Sequence, residues 1–330
     1  MCIAYYIGVV RLFYFLNRKA KRIVTFHNVL PDELHHDNLA DSSAWPANRF
    51  LSVMKWISRR FAVSTDLTDA STVTIAFDDG YCCQAEIAGK VLKACGDMPA
   101  IVFASGSAIR AERPERALVI DKLLFWTSYA PIEALSKYYG SPVIRRTEDF
   151  WSKRLWPDYC NDGESLGKRI CARLDEIYPF SRIFGSLAPE YLRLRMTGIK
   201  DTLRQEMATR GWVFAWHTEH HHPLAFLSEN IARREMTPPD RVFLNLPFSY
   251  PYGSLETTSL RDEKIAEELG YPCAVCNTSP NERERHGRYF MTRLSLSNNR
   301  IYNECVMSGF NYFMETGRLF HVAFDGSKQY

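Results

Sequence analysis

Thr72-Val73-Thr74-Ile75-Ala76-Phe77-Asp78-Asp79-Gly80-Tyr81 runs from a short β-branched, apolar segment straight into two carboxylates and a glycine. A run this short and apolar on both faces reads as a strand buried within a parallel sheet. Gly80 allows a sharp turn after it, so that both carboxylates can face one pocket. Similar runs recur at Ile23–Phe26, Ala100–Ala104, Trp212–Trp216 and Val242–Leu246, and each is expected to be a strand. Helical patterns lie between them. Phe50, Val53, Met54, Ile57 and Phe61 keep the spacing of one buried helical face, and Ser259–Leu269 reads as a helix closed by Gly270. The alternation predicts an α/β chain, with a parallel sheet or an α/β barrel. From about 107 to 200 the rhythm breaks into a charged, aromatic stretch (Phe125, Trp126, Trp151, Trp156). It is expected to be a helical insertion over one end of the barrel. No internal repeat or low-complexity tract is visible.

The chain has 330 residues, 46% hydrophobic and 24% charged, which excludes a disordered, collagen-like or multi-span membrane protein. Its net charge of +3 is local, because Arg11, Arg18, Lys19, Lys21 and Arg22 stand in an acid-free N-terminal segment and leave the rest at −2. A body so near neutral has no electrostatic footprint for nucleic acid, and none is expected as a partner. The nine cysteines are odd in number and scattered, unlike a secreted disulfide framework, and read as reduced thiols. Cys273 and Cys276 form a lone C-x-x-C with no second pair to complete a zinc knuckle.

Residues 3–16 (IAYYIGVVRLFYFL) are apolar apart from Arg11, and the basic cluster follows rather than precedes them. That order is wrong for a secretory signal, and the run is shorter than the ~20 residues of a spanning helix. Residues 1–22 therefore read as an apolar and basic helix. It would either lie in a membrane interface or pack on its own domain or a second subunit. Residues 23–330 read as the catalytic domain, and the flanking charge points to a cytoplasmic location, peripheral on the inner face of the membrane.

Three polar clusters fall where expected strands end: Asp78-Asp79-Gly80, then His217-Thr218-Glu219-His220-His221-His222-Pro223, then Ser249-Tyr250-Pro251-Tyr252-Gly253. In parallel α/β folds the loops beyond the carboxyl ends of the strands carry the active site, so the three should converge. Two histidines from one segment and a distant aspartate suit a divalent metal with an open position, leaving a second aspartate free as a base. Singly, each cluster also reads blandly, as a helix cap, a solvated loop and a turn.

The clusters resemble the motifs of the polysaccharide deacetylases, the NodB-homology family of carbohydrate esterases. The first motif, T-F-D-D-G, appears as Ala76-Phe77-Asp78-Asp79-Gly80; the second, H-[ST]-x-x-H-P, as His217-Thr218-Glu219-His220-His221 with His222 in place of Pro. The third, R-x-P-Y-G, appears as Ser249-Tyr250-Pro251-Tyr252-Gly253. Pro99–Phe103 and the leucines after the second motif also resemble the family, and the likeness extends over roughly residues 22–300. It implies a distorted (β/α) barrel and removal of acetyl groups from amino sugars. Carried onto this chain, it implies Asp79, His217 and His221 as ligands of Zn2+, or of Co2+, Ni2+ or Mn2+. It further implies Asp78 as the base and the Tyr252 N–H as oxyanion donor. Ser249 departs from the family, standing where an arginine usually pairs with the base; Arg293 is the candidate replacement. His321, in Leu319-Phe320-His321, matches the short motif of the general acid, and His27 is its rival at the end of the first strand. His222 competes with His221 as ligand.

The resulting expectation is a metal-dependent hydrolase that deacetylates an N-acetylated or O-acetylated sugar of a polysaccharide or glycolipid. Two other readings use the same residues: a catalytically silent glycan-binding relative, and a hydrolase of cyclic imides or small amides. An unligated Asp78 argues against the silent reading, while the missing arginine argues for it.

Overall fold

The computed structural model describes residues 8–142, 151–277, 287–317 and 319. Ten strands are laid down in chain order: β1 Arg22–Phe26, β2 Asn28–Leu30, β3 Ala44–Pro46, β4 Val73–Asp79, β5 Ile101–Ala104, β6 Val213–Trp216, β7 Phe248–Ser249, β8 Ala274–Cys276, β9 Met291–Thr292 and β10 Leu294–Ser295. β2 and β3 form a small parallel pair; the others form one sheet in the order β10-β1-β4-β5-β6-β7-β8-β9. Every ladder in that sheet is parallel.

The two ends of the sheet are halves of one segment. Met291 and Thr292 pair with Val275 and Cys276, while Leu294 and Ser295 pair with Val24 and Thr25. Arg293 lies between them and donates its N–H to Cys276 O at 3.1 Å. A single segment thus bridges both edges and closes the sheet into a barrel, which removes unpaired edges. Every residue of β1 and of β4 is buried, as their two-sided apolar pattern predicts.

Inside the barrel Ile23, Ala76, Ile101, Phe103, Ala215, Val275 and Met291 pack together. Outside it, Val24, Phe26, Ile75 and Phe77 meet Phe50, Val53, Met54 and Ile57 of the helix Ala47–Ser58. Each such side chain stabilises by about 1.5–3 kcal/mol. Between β5 and β6 run the helices Val119–Tyr129, Ile132–Tyr139, Trp156–Asn161, Lys168–Ile177, Phe180–Gly185 and Pro189–Met196, around a core of their own that includes Phe125, Trp126, Tyr159 and Tyr191. The expected helix near Ser259 spans Leu260–Leu269, with a Ser259–Asp262 capping box and Gly270 left-handed at its end.

Two expectations are corrected. Val242–Leu246 is not a strand: Arg241–Asn245 forms a 3-10 turn, and the strand is Phe248–Ser249. Asp240 caps the turn by accepting the Val242 N–H at 3.0 Å, and Val242 is left 55% exposed. The second correction concerns the basic cluster. The N-terminal helix is described over Val9–Leu16, and Lys21 and Arg22 are buried beyond it. Lys21 Nζ donates to the carbonyls of Asp66 (2.7 Å) and Asp69 (3.0 Å), and Arg22 Nε to Met307 O at 2.7 Å. Those two cations belong to the fold and do not face a membrane.

Candidate metal and hydrolase site

The three clusters converge at the carboxyl ends of the strands. β4 ends on Asp79, His217 follows β6 directly, and Ser249 ends β7. Asp79, His217 and His221 each offer a ligand atom, all within 4.8 Å of one another and all buried. His221 Nε2 lies 3.1 Å from His217 Nε2 and 3.3 Å from Asp79 Oδ1. Turning Asp79 and Gly80 toward the pocket takes positive φ at both, +81° and +93°. A Cβ on Gly80 would come within 2.8 Å of Ala104 Cβ, so the glycine is obligatory.

Of the six non-glycine residues with positive φ among the described residues, four fall in the three motifs: Asp79, Thr218, His221 and Tyr252. Such backbone costs roughly 1–3 kcal/mol per residue and persists only where the surroundings hold it. Those holds are visible around His217–His221. Ser105 Oγ donates to His217 O (2.9 Å), the Gly106 N–H to Thr218 O (3.0 Å) and the Ser107 N–H to Glu219 O (2.8 Å). Buried Glu235 accepts the His220 N–H at 2.7 Å and stands 2.7 Å from His220 Nδ1. Thr218 Oγ1 accepts the His221 N–H (3.1 Å), and the hydroxyls of Tyr159 (3.3 Å) and Tyr252 (3.2 Å) both donate to His221 O.

The donor set suits a divalent cation. His217 Nδ1 sits 2.6 Å from Ser249 O, so it carries the proton and leaves the Nε2 lone pair facing the pocket. Burial drives the pKa of His217 down to about 3 and that of His221 down to about 4, so both rings are neutral, as ligands must be. Asp79 has the opposite difficulty. Burial pushes its pKa up, the charges of Asp121 and Asp78 add to this, and His27 opposes it. Its Oδ1 is buried and has no hydrogen-bond partner among the described residues, and a cation would satisfy it.

Asp78 points elsewhere. Both of its oxygens accept from Arg293, Oδ1 from Nη1 and Oδ2 from Nη2, each at 2.6 Å, and both residues are buried. Burial alone would raise its pKa, but Arg293 and His217 overcome it and hold the carboxylate well below its usual range. Ser249 Oγ reaches Asp78 Oδ1 at 3.4 Å. Arg293 therefore provides the guanidinium that the third motif lacks.

The remaining sequence candidates separate cleanly. His27 Nε2 stands 3.9 Å from Asp78 Oδ2 and is partly exposed. His222 turns away from the cluster to pack on Tyr159, ring centroids 4.5 Å apart, whereas His221 faces Tyr252 at 4.7 Å. Tyr252 has φ +62°, and its N–H has no acceptor among the described residues. His321 lies outside the described residues. Sequence reasoning missed Glu235, Tyr159 and a buried group behind Asp79. In that group Arg195 Nη1 lies 2.9 Å from Asp121, Arg195 Nε lies 3.5 Å from Asp41, and Tyr81 donates to Asp121. No local pattern marks these residues; their partners are 15 to 154 positions away in the chain.

No family model matches the chain, and no curated protein sequence matches it. Among solved structures it is similar to the Streptococcus pyogenes deacetylase PplD in complex with acetate, at 15% identity and TM-score 0.49, over 88% of this chain and 97% of that one. It is similar to IcaB from Ammonifex degensii at 13% identity and TM-score 0.47, over 88% and 97%. A polysaccharide deacetylase from Bacillus cereus matches at 11% identity and TM-score 0.47, over 88% of this chain and 68% of its own. Similarity of that order carries no chemistry by itself; the side chains of the site do.

Proposed function

We propose that the protein is a metal-dependent hydrolase that removes acetyl groups from N-acetylated sugars of a polysaccharide or glycolipid, with O-acetyl groups as a second substrate class. The observation that carries this reading is the division of labour between adjacent carboxylates. Asp79 joins His217 and His221, while Asp78 stays out of that cluster as an ion pair with Arg293. A silent binding protein has no use for an ionised, unligated carboxylate at that place, and this favours an enzyme.

Asp79, His217 and His221 would hold the cation, Zn2+ by donor chemistry or Co2+, Ni2+ or Mn2+. When bound, the cation supplies Lewis acidity toward a water and the acetyl carbonyl. Asp78 takes a proton from the attacking water at a carboxylate oxygen. The Tyr252 N–H donates to the carbonyl oxygen as it gains charge, a contribution worth about 3 kcal/mol in comparable sites. A histidine, His321 or its rival His27, would hand a proton to the leaving amine as the C–N bond breaks, which yields acetate and the free amino sugar; His27 Nε2 stands 3.9 Å from Asp78 Oδ2.

Among the described residues no helix is long and apolar enough to cross a membrane. For residues 3–22, apart from Lys21 and Arg22, which the fold buries, the reading is peripheral contact with the cytoplasmic face of a membrane.

The test is metal content measured together with acetate release from chitooligosaccharides and peracetylated sugars. About one metal per chain, with acetate release abolished by a chelator, supports the hydrolase. Metal without acetate redirects the search to imides or other amides. No metal after reconstitution overturns the reading in favour of a binding protein.

A further inference from the structure

Seven large apolar side chains stand exposed among the described residues, and four of them fall on two helices that touch: Leu12 (53%), Phe15 (61%), Phe313 (36%) and Met314 (65%). The first two lie on the helix Val9–Leu16 and the others on the helix Phe310–Thr316. The Phe13 ring joins the two helices, 5.3 Å from Phe310 and 4.9 Å from Phe313. Val10 and Phe13 are buried against Cys305 and Phe310, so the N-terminal helix is docked by one face and open on the other. Arg11, Arg18 and Lys19 are exposed around Leu12 and Phe15 and make no ion pair among the described residues. The Arg18 guanidinium lies over the Phe15 ring at 4.5 Å, so cation and apolar side chain are presented together. The Val9–Leu16 helix carries no acid, and Glu315 is the one acidic residue of Phe310–Thr316.

The position of this face in the barrel is informative. The chain leaves the helix and enters β1 at its amino end, where Lys21 grips the loop before β4 and Arg22 grips Met307. The reactive residues lie at the opposite, carboxyl ends of the same strands.

We infer that the paired helices Val9–Leu16 and Phe310–Thr316 form a docking face for an anionic lipid bilayer, on the pole of the barrel away from the active site. Exposed apolar side chains flanked by unpaired cations match the acyl boundary and headgroup charge of such a surface. The docked enzyme then presents its site to glycan that reaches it from solution, which narrows the proposed substrates to polysaccharide and sets aside glycolipid of the same bilayer. This orientation rests on the hydrolase reading; the docking does not.

The experiment is flotation of the full chain with phosphatidylcholine vesicles, with and without phosphatidylglycerol. The protein should float with the anionic vesicles alone, and less as salt is raised. Leu12→Glu with Phe15→Glu should abolish flotation while leaving the thermal melt unchanged. Wild-type protein that stays in solution, or a variant that floats equally, overturns the docking face. A vesicle-free dimer that the same variant dissociates overturns it in favour of a second copy. Acetate release from soluble oligomers should be equal with and without vesicles; its loss on vesicle binding overturns the orientation. If acetate is released under neither condition, the hydrolase reading fails and flotation still decides the docking.

Discussion

In the proposed reaction Asp78 has to be both an anion and a base, and its surroundings set these demands against each other. A carboxylate buried this completely would keep its proton at neutral pH without a compensating charge. Arg293 compensates with two hydrogen bonds of 2.6 Å, and it does so from the break between the two halves of the strand that closes the barrel. Arg293→Met should therefore destabilise by about 3–5 kcal/mol in denaturant melts, because it strands a buried charge. Arg293→Lys should recover little of the lost activity, since an ammonium cannot reproduce the fork. Asp78→Asn isolates the chemical role. Turnover should fall by ~10² or more, the scale of lost general-base catalysis, while metal content stays at the wild-type value. Unchanged turnover would remove Asp78 from the mechanism.

The loop after β6 behaves as one mechanical part, since five of its residues are tethered to neighbouring elements. Glu235, on the helix Glu229–Met236, is the anchor least expected from sequence. Glu235→Gln should weaken metal affinity by about 10- to 100-fold in competition with a chelator, as is usual for groups that orient ligands. A second tether joins the segment after β4 to the helix Pro189–Met196: Arg193 reaches Glu86 with two contacts of 2.7 Å. Arg193 holds the pKa of Glu86 down at about 2, against the weaker pull of its partial burial. A depressed acid stabilises the fold above its unfolded value and loses that contribution as pH falls toward the folded one. Acid melts of Glu86→Gln should thus be flatter than wild type between about pH 4.5 and 2, with a cost near 0.5–1 kcal/mol at neutral pH for so exposed a pair. At this scale the sequence was readable where a pattern is local. The strands β1, β4, β5 and β6 announce themselves by two-sided apolarity. β7 did not, because a capped turn with an apolar sequence stands just before it, and β8 to β10 are too short to show a period.

Barrel closure and site assembly are consequences of the whole molecule. Asp79, His217 and His221 were legible as a set because Asp79 ends β4 and both histidines stand in the loop after β6, and strand ends of a parallel barrel meet. Arg293 was legible only as a basic residue in the right region, since its reach to Asp78 depends on the last segment bridging both edges of the sheet. The same architecture makes the proposed cation a cross-link. Its ligands come from the end of β4 and the loop after β6, with β5 between them, so binding should stiffen three adjacent strands at once. A ligand that binds the folded state alone stabilises it by about 2.7 kcal/mol at a hundredfold excess over Kd. For a chain of 330 residues that corresponds to a Tm rise of about 4 °C. Melts of chelator-treated protein titrated with Zn2+, Co2+, Ni2+ and Mn2+ should show such a rise with at least one ion. Asp79→Asn and His217→Ala should abolish it, because each removes a ligand. Asp78→Asn should retain it, because Asp78 is bound to Arg293 and not to the cluster. A rise that survived His217→Ala would place the ion elsewhere. No rise with any of the four ions would mean that the two imidazoles and Asp79 converge for a reason other than metal.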